Sequence, residues 1–532
     1  MATDSAPSGT SMAIAGWGDP TRRTGLPAHA TGWLRRELGA LTPSVPAPLT
    51  LPPGRLTDAA QEALVAIVGA THVRTDDDAR GEHAAGRSYL DLLALRSGRL
   101  EGPDAVVLPA SAIEVAALLR VCTEQRLAVV PFGGGTSVVG GVRPLRGGFD
   151  AVVSLDLRRL DRLLHVDEEA LTATFEPGVR GPAAEALLNA HGLTLGHFPQ
   201  SYECASLGGY AATRSSGQAS TGYGRFDEMV VSMVVQTPAG ELRLGRGSAS
   251  AAGPDLRALL VGSEGTLGII TELTLKVRPL AAAAHYEAFF FRTWTEGVAA
   301  LRELEQSRQA PDVARLSDVD ETRVQLALSG ASRVQRLFLR GRRGTCMAIL
   351  GWEGGGAARR KAAVSVVRRH HGFSVGTGAG EKWKAGRYDG PYLRDDLLDA
   401  GVLVETLETS ARWSSLTATH AAVRTALHTA LPGAVVMCHV SHLYPHGASL
   451  YFTVLGRQDA DPAPQWQRAK DAACSALVAS GATITHHHAV GTDHRPWMTD
   501  EIGPLGVDVL RAVKAVLDPA GILNPGKLIP EE

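Results

Sequence analysis

Along the first 280 residues, short apolar runs closed by Gly or Pro alternate with single helical stretches. Runs at 105–108, 127–130, 151–155, 171–175, 229–237 and 269–277 have the length and β-branched content of buried strands. The turn Pro238-Ala239-Gly240 joins the fifth of these to 241–244 and predicts a hairpin. Helical periodicity runs over 33–41, 57–68 and 182–190. Ser111 with Glu114 three residues on reads as a capping box opening a helix to about residue 125. Its expected inner stripe is Ile113, Val115, Ala116, Leu118, Leu119 and Cys122. From 281 to about 480 longer helices alternate with strands, and the last 50 residues hold a His cluster, a helix over 505–516 and a Pro/Gly-bounded tail. No internal repeat is found.

Composition narrows this to an ordinary globular chain. Its 532 residues, 20% charged with net charge −2, suffice for several domains and exclude disordered, collagen-like and disulfide-rich classes. The balance of charge argues against a nucleic-acid partner. No apolar run approaches the about 18 residues a membrane span needs, so no integral membrane association is expected. The five Cys are scattered without a CxxC, the N-terminus lacks a basic-then-apolar leader, and the last residues form no peroxisomal tripeptide. A reduced, cytoplasmic location is expected. Seven Lys against 46 Arg fits a GC-rich bacterial genome rather than any chemistry.

The 59 Gly change the picture, because they concentrate between strands. Gly-rich loops at 133–141, 206–224 and 262–268 place successive backbone N–H groups beside Thr and Ser, the means by which a diphosphate is held without many cations. None matches the GxGxxG or GxxxxGK[ST] fingerprints. Gly376-Thr377-Gly378-Ala379-Gly380 has Glu381 where the last Gly belongs and is read as a loop.

Pro131, Phe132, Gly133, Gly134, Gly135, Thr136 and Ser137, with Gly140-Gly141, resemble the diphosphate loop of the vanillyl-alcohol-oxidase superfamily of FAD enzymes. Ser206-Leu207-Gly208-Gly209, Tyr223-Gly224 and the segment 262–268 are similar to its further FAD segments in order and spacing. The resemblance implies an α+β fold, with a PCMH-type FAD-binding domain of two α/β subdomains over 99–280. It also implies a cap of antiparallel sheet with flanking helices over 281–475, a segment 476–532 returning to the FAD domain, and an N-terminal region over 1–98. For FAD itself it implies contacts from 131–137, Gln200, Ser201, Cys204, Ser206, Gly208, Gly209, Thr213, Ser215, Ser216, Glu264, Gly265, Gly268, Ile269 and Ile270. Relatives with covalent FAD carry His at the position of Thr136, so non-covalent FAD is implied.

Within the superfamily the chain is most similar to the alkyldihydroxyacetonephosphate synthase family. The carriers are Gly16-Trp17-Gly18, Thr213-Arg214, Thr237–Gly240, Glu408-Thr409-Ser410-Ala411 and His486-His487-His488 before Val490-Gly491. That family exchanges a fatty acid for a fatty alcohol on acyl-dihydroxyacetone phosphate, through a flavin N5 adduct without net redox change. By resemblance, Arg394 would bind the substrate phosphate, Tyr444 would give or take a proton, His486, His487 and His488 would line the site, and Arg315 would be needed for activity.

The residues themselves leave alternatives open. Arg394 suits a carboxylate as well as a phosphate, and lies beside Asp395 and Asp396. Nearby cations would depress the Tyr444 phenol toward neutrality. On a strand, His486 and His488 would share one face and His487 the other. No metal is expected, and a metal alternative draws on His439, His442 and His446.

Two departures from the synthase pattern stand out. Gln218-Ala219-Ser220-Thr221 replaces a basic stretch, and the tail 518–527, with Asn524-Pro525-Gly526-Lys527, is similar to FAD-dependent 2-hydroxyacid dehydrogenases. The expectation is therefore an FAD-dependent oxidoreductase moving hydride from a small anionic hydroxy- or amino-type substrate to flavin N5, with the ether-forming synthase as the alternative. Relatives in this family are often homodimers.

Overall fold

The computed structural model describes residues 12–328, 344–354 and 356–531. The Gly/Ser/Thr-rich lead at 1–11 lies outside them. Three main sheets organise the chain. The first contains β1 (Val73–Arg74), β2 (Ala105–Val107), β3 (Leu127–Phe132) and β4 (Ala151–Asp156) in the order β1-β2-β4-β3. β2 and β3 both run parallel to β4, and the helix Ala112–Glu124 makes the crossover between them.

Ser111 caps that helix, its side chain accepting from the Glu114 N–H. The Glu114 carboxylate accepts from Ala110 rather than from Ser111, so the expected reciprocal box is half-formed. Val115, Leu118, Leu119 and Cys122 form the buried stripe. Ile113 is 82% exposed, because the first turn presents it away from the sheet.

The second sheet holds β5 (Leu163–Asp167), β6 (Thr172–Phe175), β8 (Val230–Thr237), β9 (Gly240–Leu244) and β10 (Ile269–Lys276), ordered β5-β6-β10-β8-β9. The predicted hairpin is the β8–β9 pair. β5 escapes the sequence reading because its side chains are largely exposed and carry no alternation. β7 (Leu193–Thr194) and β11 (Arg278–Pro279) form a two-stranded ribbon. The 206–224 segment, expected as a loop, is mostly helical, with Leu207–Thr213 capped by Ser206.

The third sheet is the cap. β12 (Ala284–Phe291), β13 (Val313–Ser317), β14 (Cys346–Glu353), β15 (Phe373–Gly376), β16 (Val402–Arg412), β17 (Val435–Tyr444) and β18 (Gly447–Arg457) run antiparallel in the order β15-β12-β14-β13-β17-β18-β16. The 376–380 segment is not a loop, since the helix Gly378–Ala385 begins inside it.

The N-terminal hundred residues divide between two cores. Ala60, Leu64 and Val68 pack with the first sheet, whereas Trp33, Leu34, Tyr89, Leu92 and Leu95 enter the cap core. The C-terminal helix Met498–Leu517 starts earlier than expected and is interrupted at Gly503-Pro504. The tail then returns to the first sheet, with Ile522 and Leu523 in its core. No helix among the described residues is long and apolar enough to cross a membrane. All five Cys are buried and unpaired.

The tail is fastened by Asn524, whose side-chain amide donates to the carbonyls of Gly141 (3.1 Å) and Glu264 (2.7 Å). These two donations join the C-terminus to two of the Gly-rich segments. Asn524→Ala is therefore expected to lower stability by about 1–3 kcal/mol, read as a denaturant midpoint, because two buried carbonyls lose their donor. An unchanged midpoint would show that the clamp contributes nothing.

Candidate active site

Strand β3 ends at Phe132, and the next residues form the first Gly-rich loop. Among the described residues no acceptor takes the backbone N–H groups of Gly133, Gly134, Gly135, Thr136 or Ser137. Five successive unclaimed amides are what a diphosphate cradle requires. A Cβ at Gly134 would collide with the Cys204 carbonyl, and one at Gly133 with the Ser206 side chain, so this loop packs directly on the second segment. Gly135 has φ +66, a conformation that favours glycine. These features fit FAD, with 131–137 as the diphosphate loop.

Glu264, in the third segment, accepts from Val490 (2.8 Å) and Gly491 (2.8 Å). Burial pushes its carboxyl up to about 7, and Lys527 beside it down to about 7. Gly265 (φ +72) lies against Pro131, and Gly268 against Val235, while Ile269 and Ile270 are buried in β10. Thr213 donates to the Gly209 carbonyl, and Ser215 lies 3.0 Å from His197. Gln200 donates to the Arg387 carbonyl (2.9 Å), and Ser201 accepts the Cys204 and Ala205 amides on its carbonyl.

The histidine segment is not a strand. Residues 483–490 form a loop beside β16, and its geometry is set by one buried carboxylate. Glu408 on β16 accepts the N–H groups of His486 (2.6 Å), His487 (3.2 Å) and His488 (2.9 Å), and the Thr485 hydroxyl (2.6 Å). Three consecutive amides on one carboxylate curl the backbone, so the alternation expected of a strand is lost. His486 and His487, expected on opposite faces, instead meet Nδ1 to Nδ1 at 2.9 Å.

β17 supplies the facing rings. Its pairing with β18 breaks register between Val440 and Leu443. This bulge resets the alternation, so His439 before it and His442 and Tyr444 after it serve the same cluster. The Tyr444 hydroxyl lies 2.6 Å from His486 Nε2. His442 stacks on His486 with ring centroids 5.1 Å apart, and its Nδ1 lies 2.6 Å from Ser220 Oγ. Tyr451 on β18 stacks on both His439 (4.9 Å) and His487 (6.0 Å).

Arg315 reaches this group through one intermediary. Its Nη2 lies 2.9 Å from His439 Nδ1 and also bonds Glu321. Burial works against the Glu321 carboxylate, but Arg315 and His439 outweigh it and hold it at about 2. Glu321, Glu408, Tyr451, Ser220 and Arg225 were not singled out from the sequence. Only Glu408, within the quoted Glu-Thr-Ser-Ala motif, and Ser220, within the 218–221 departure, carried any signal there.

Burial drives the whole cluster toward neutrality. His442 and His486 are pushed well below the ordinary imidazole range, His487 is lowered, and His488 falls to about 3. The expectation of a phenol depressed by cations is overturned: burial raises Tyr444 above the ordinary phenol range, with Arg225 only partly offsetting it. At neutral pH the site thus holds a phenol and uncharged imidazoles. A cavity of about 500 Å³ opens beside them, lined by Tyr444, His486, Arg225, Thr213, Glu264 and Val490 among others.

Among the described residues, His442, His486 and His487 bring one ring nitrogen each within 4.8 Å of the others, a spacing that could hold a cation. His446 is exposed and His439 is engaged by Arg315 and Glu321, so the alternative set named from sequence does not converge.

Arg394 lies on the helix Gly390–Asp399. Its Nη1 donates to the Arg87 carbonyl at 2.6 Å. Its Nε and Nη2 are buried without a hydrogen-bond partner among the described residues. Those two nitrogens form one edge of the guanidinium, a ready fork for two oxygens of one anion.

The FAD binding domain model matches residues 103–245, and the model of the C-terminal domain of FAD linked oxidases matches 280–528. The alkyldihydroxyacetonephosphate synthase of Dictyostelium discoideum is 35% identical over 86% of this chain and 78% of its own length. The Trypanosoma brucei brucei synthase is 33% identical over 90% of this chain and 82% of its own. A solved alkyldihydroxyacetonephosphate synthase superposes with TM-score 0.82 at 30% identity, covering 97% of this chain and 99% of that one. The chain belongs to the vanillyl-alcohol-oxidase type of FAD enzymes, close to the alkyldihydroxyacetonephosphate synthases. It carries the FAD-binding domain of that family and its α+β architecture.

The neutral histidines make stability depend on pH. His197 and His488 are lowered to about 3 and His494 to about 4, so below about pH 6.5 the unfolded chain binds protons that the folded chain refuses. Their contribution is full above pH 6.5 and is lost as pH falls toward 4. Each such histidine adds a slope of about 1.4 kcal/mol per pH unit. Glu321 adds its own loss only below the ordinary carboxylate range. The thermal midpoint should drop between pH 7 and pH 5, and His197→Gln should make that drop shallower. A flat midpoint over this window would contradict the assignment.

Proposed function

We propose that this protein is an ether-forming transferase of the alkyldihydroxyacetonephosphate synthase type, using non-covalently bound FAD. The carrying observation is the unpartnered Nε/Nη2 edge of Arg394, at the position where the resemblance expects the substrate phosphate. FAD, held by 131–137 and its companion segments, supplies an electrophilic, redox-active ring. The reaction balances without an electron acceptor: a fatty alcohol enters, a fatty acid leaves, and dihydroxyacetone phosphate is ether-linked.

Within that reaction Arg394 binds and orients the anion. Tyr444 holds the proton that must leave and return to the substrate carbon. With the phenol donating to His486 Nε2, the proton on His486 Nδ1 faces His487 Nδ1, so a proton lost by one ring can be taken by the next. Burial keeps these rings uncharged until that moment, which matches a base needed only transiently.

The tail feature that had pointed to a hydroxyacid dehydrogenase supports no substrate choice. Asn524 fastens flavin-side loops through their carbonyls. Hydride transfer from a small anionic substrate remains the second reading. It is favoured by the 218–221 segment, which replaces a basic stretch and sets Ser220 beside His442.

Anaerobic mixing with acyl-dihydroxyacetone phosphate separates the two. Stoichiometric fatty-acid release without an electron acceptor is expected, and turnover of carboxylates that requires oxygen or a dye would establish the second reading instead. Tyr444→Phe should lower turnover at least about 100-fold with FAD content unchanged. Arg394→Met should raise KM far more than it lowers kcat, and equal effects on both would remove Arg394 from the binding role.

A further inference from the structure

The segment that passes over Arg394 comes from the far N-terminus. The Gly16 and Ala13 carbonyls accept from Arg87 Nε and Nη2, each at 2.8 Å. The Trp17 N–H donates to Asp395 Oδ2 at 2.6 Å. Arg22 bonds Glu203, and Arg23 bonds Asp396 and Asp399, so the strap is clamped to the helix that carries Arg394. A Cβ at Gly16 would lie 2.6 Å from Asp395 Oδ2, and Gly18 adopts φ +47 against the Tyr392 hydroxyl. The Gly-Trp-Gly sequence is thus required by how closely the strap approaches this helix.

Two consequences meet at Arg394. The Trp17 ring, with the residue 3% exposed, lies 5.9 Å from the guanidinium carbon. The carboxylate nearest Arg394, Asp395, has one oxygen taken by the Trp17 N–H and keeps the other 3.9 Å from Nε, too far for a hydrogen bond. Left to itself, a buried carboxylate beside a buried guanidinium would close into a pair and fill the fork. Glu405, the other acidic group near Arg394, is likewise engaged, by the Tyr89 and Thr406 N–H groups.

We propose that the strap at residues 16–18 is part of the substrate anion site, with Trp17 a positioning residue that keeps Arg394 open for the two-oxygen edge of a phosphomonoester. Its indole covers the guanidinium from water, and its backbone N–H withholds Asp395. This rests on the reading that Arg394 receives the substrate's anionic group.

The test is isothermal titration of the FAD-loaded full chain with dihydroxyacetone phosphate. Trp17→Leu is expected to weaken binding about tenfold with FAD content unchanged, while Trp17→Phe stays within about threefold of the unaltered protein. Gly16→Ala, whose Cβ would dislodge Asp395 Oδ2 from the Trp17 N–H, should weaken binding similarly. Adding Asp395→Asn to it should restore much of the loss, because a neutral amide does not compete for the fork.

Unaltered affinity in Trp17→Leu, alongside loss of binding in Arg394→Met, would overturn the role of the strap alone. Unaltered affinity in Arg394→Met would instead overturn the underlying anion reading. Loss of FAD and of binding together in Trp17→Leu, with no rescue by Phe, would reduce the strap to a structural wall and also overturn the proposal.

Discussion

The histidine end of the candidate site depends on a single carboxylate. Glu408 sits fully buried on β16, the edge strand of the cap sheet, and takes three consecutive N–H groups from the loop that carries His486, His487 and His488. Burial opposes its ionisation, and the histidines with the Thr485 hydroxyl overcome that and keep it charged, well below the ordinary carboxylate range. A buried anion with this many donors fixes both the loop and the cap sheet, because neither can move without leaving the charge unpaired. Glu264 does the equivalent on the flavin side of the same loop, accepting from Val490 and Gly491. The histidine loop is thus held between one carboxylate from the cap and one from the FAD domain.

That arrangement explains why the imidazoles carry no charge. The loop brings three rings against His442, Tyr444 and Tyr451, where burial raises the cost of protonation. Mutual repulsion adds to the effect, since any one imidazolium would disfavour the next. The cost appears as stability that falls away in mild acid.

The strands and turns of the FAD domain were legible because their signals are local: the Ser111 cap, the β8–β9 turn and the apolar runs each depend on neighbouring residues. β5 was missed because an exposed edge strand does not need to alternate. The clustering of Tyr444 with the His486–His488 group was legible only through resemblance to a family. Its geometry was not, because a bulge in β17 and the capture of three amides by Glu408 are decided across strands distant in sequence. Ile113 shows the same limit in reverse: it fits a helical stripe, yet it falls in the first turn and is exposed.

Arg394 and the first Gly-rich loop are joined through one residue, Arg87. The Arg87 N–H donates to the Ser137 carbonyl of the diphosphate loop at 2.6 Å, and the Arg87 carbonyl accepts from Arg394 Nη1 at 2.6 Å. Its side chain meanwhile holds the N-terminal strap, and burial beside Arg394 lowers that guanidinium to about 10. Two adjacent buried guanidiniums repel, so the pair is stable only because Arg87 donates to four carbonyls and Asp91, Asp395 and Glu405 lie within reach. Arg394, left with one donation, is the member of the pair still short of an anion. A bound oxyanion would complete the charge balance of this region, and it would do so at a fixed distance from the diphosphate loop, because both are bonded to the same residue.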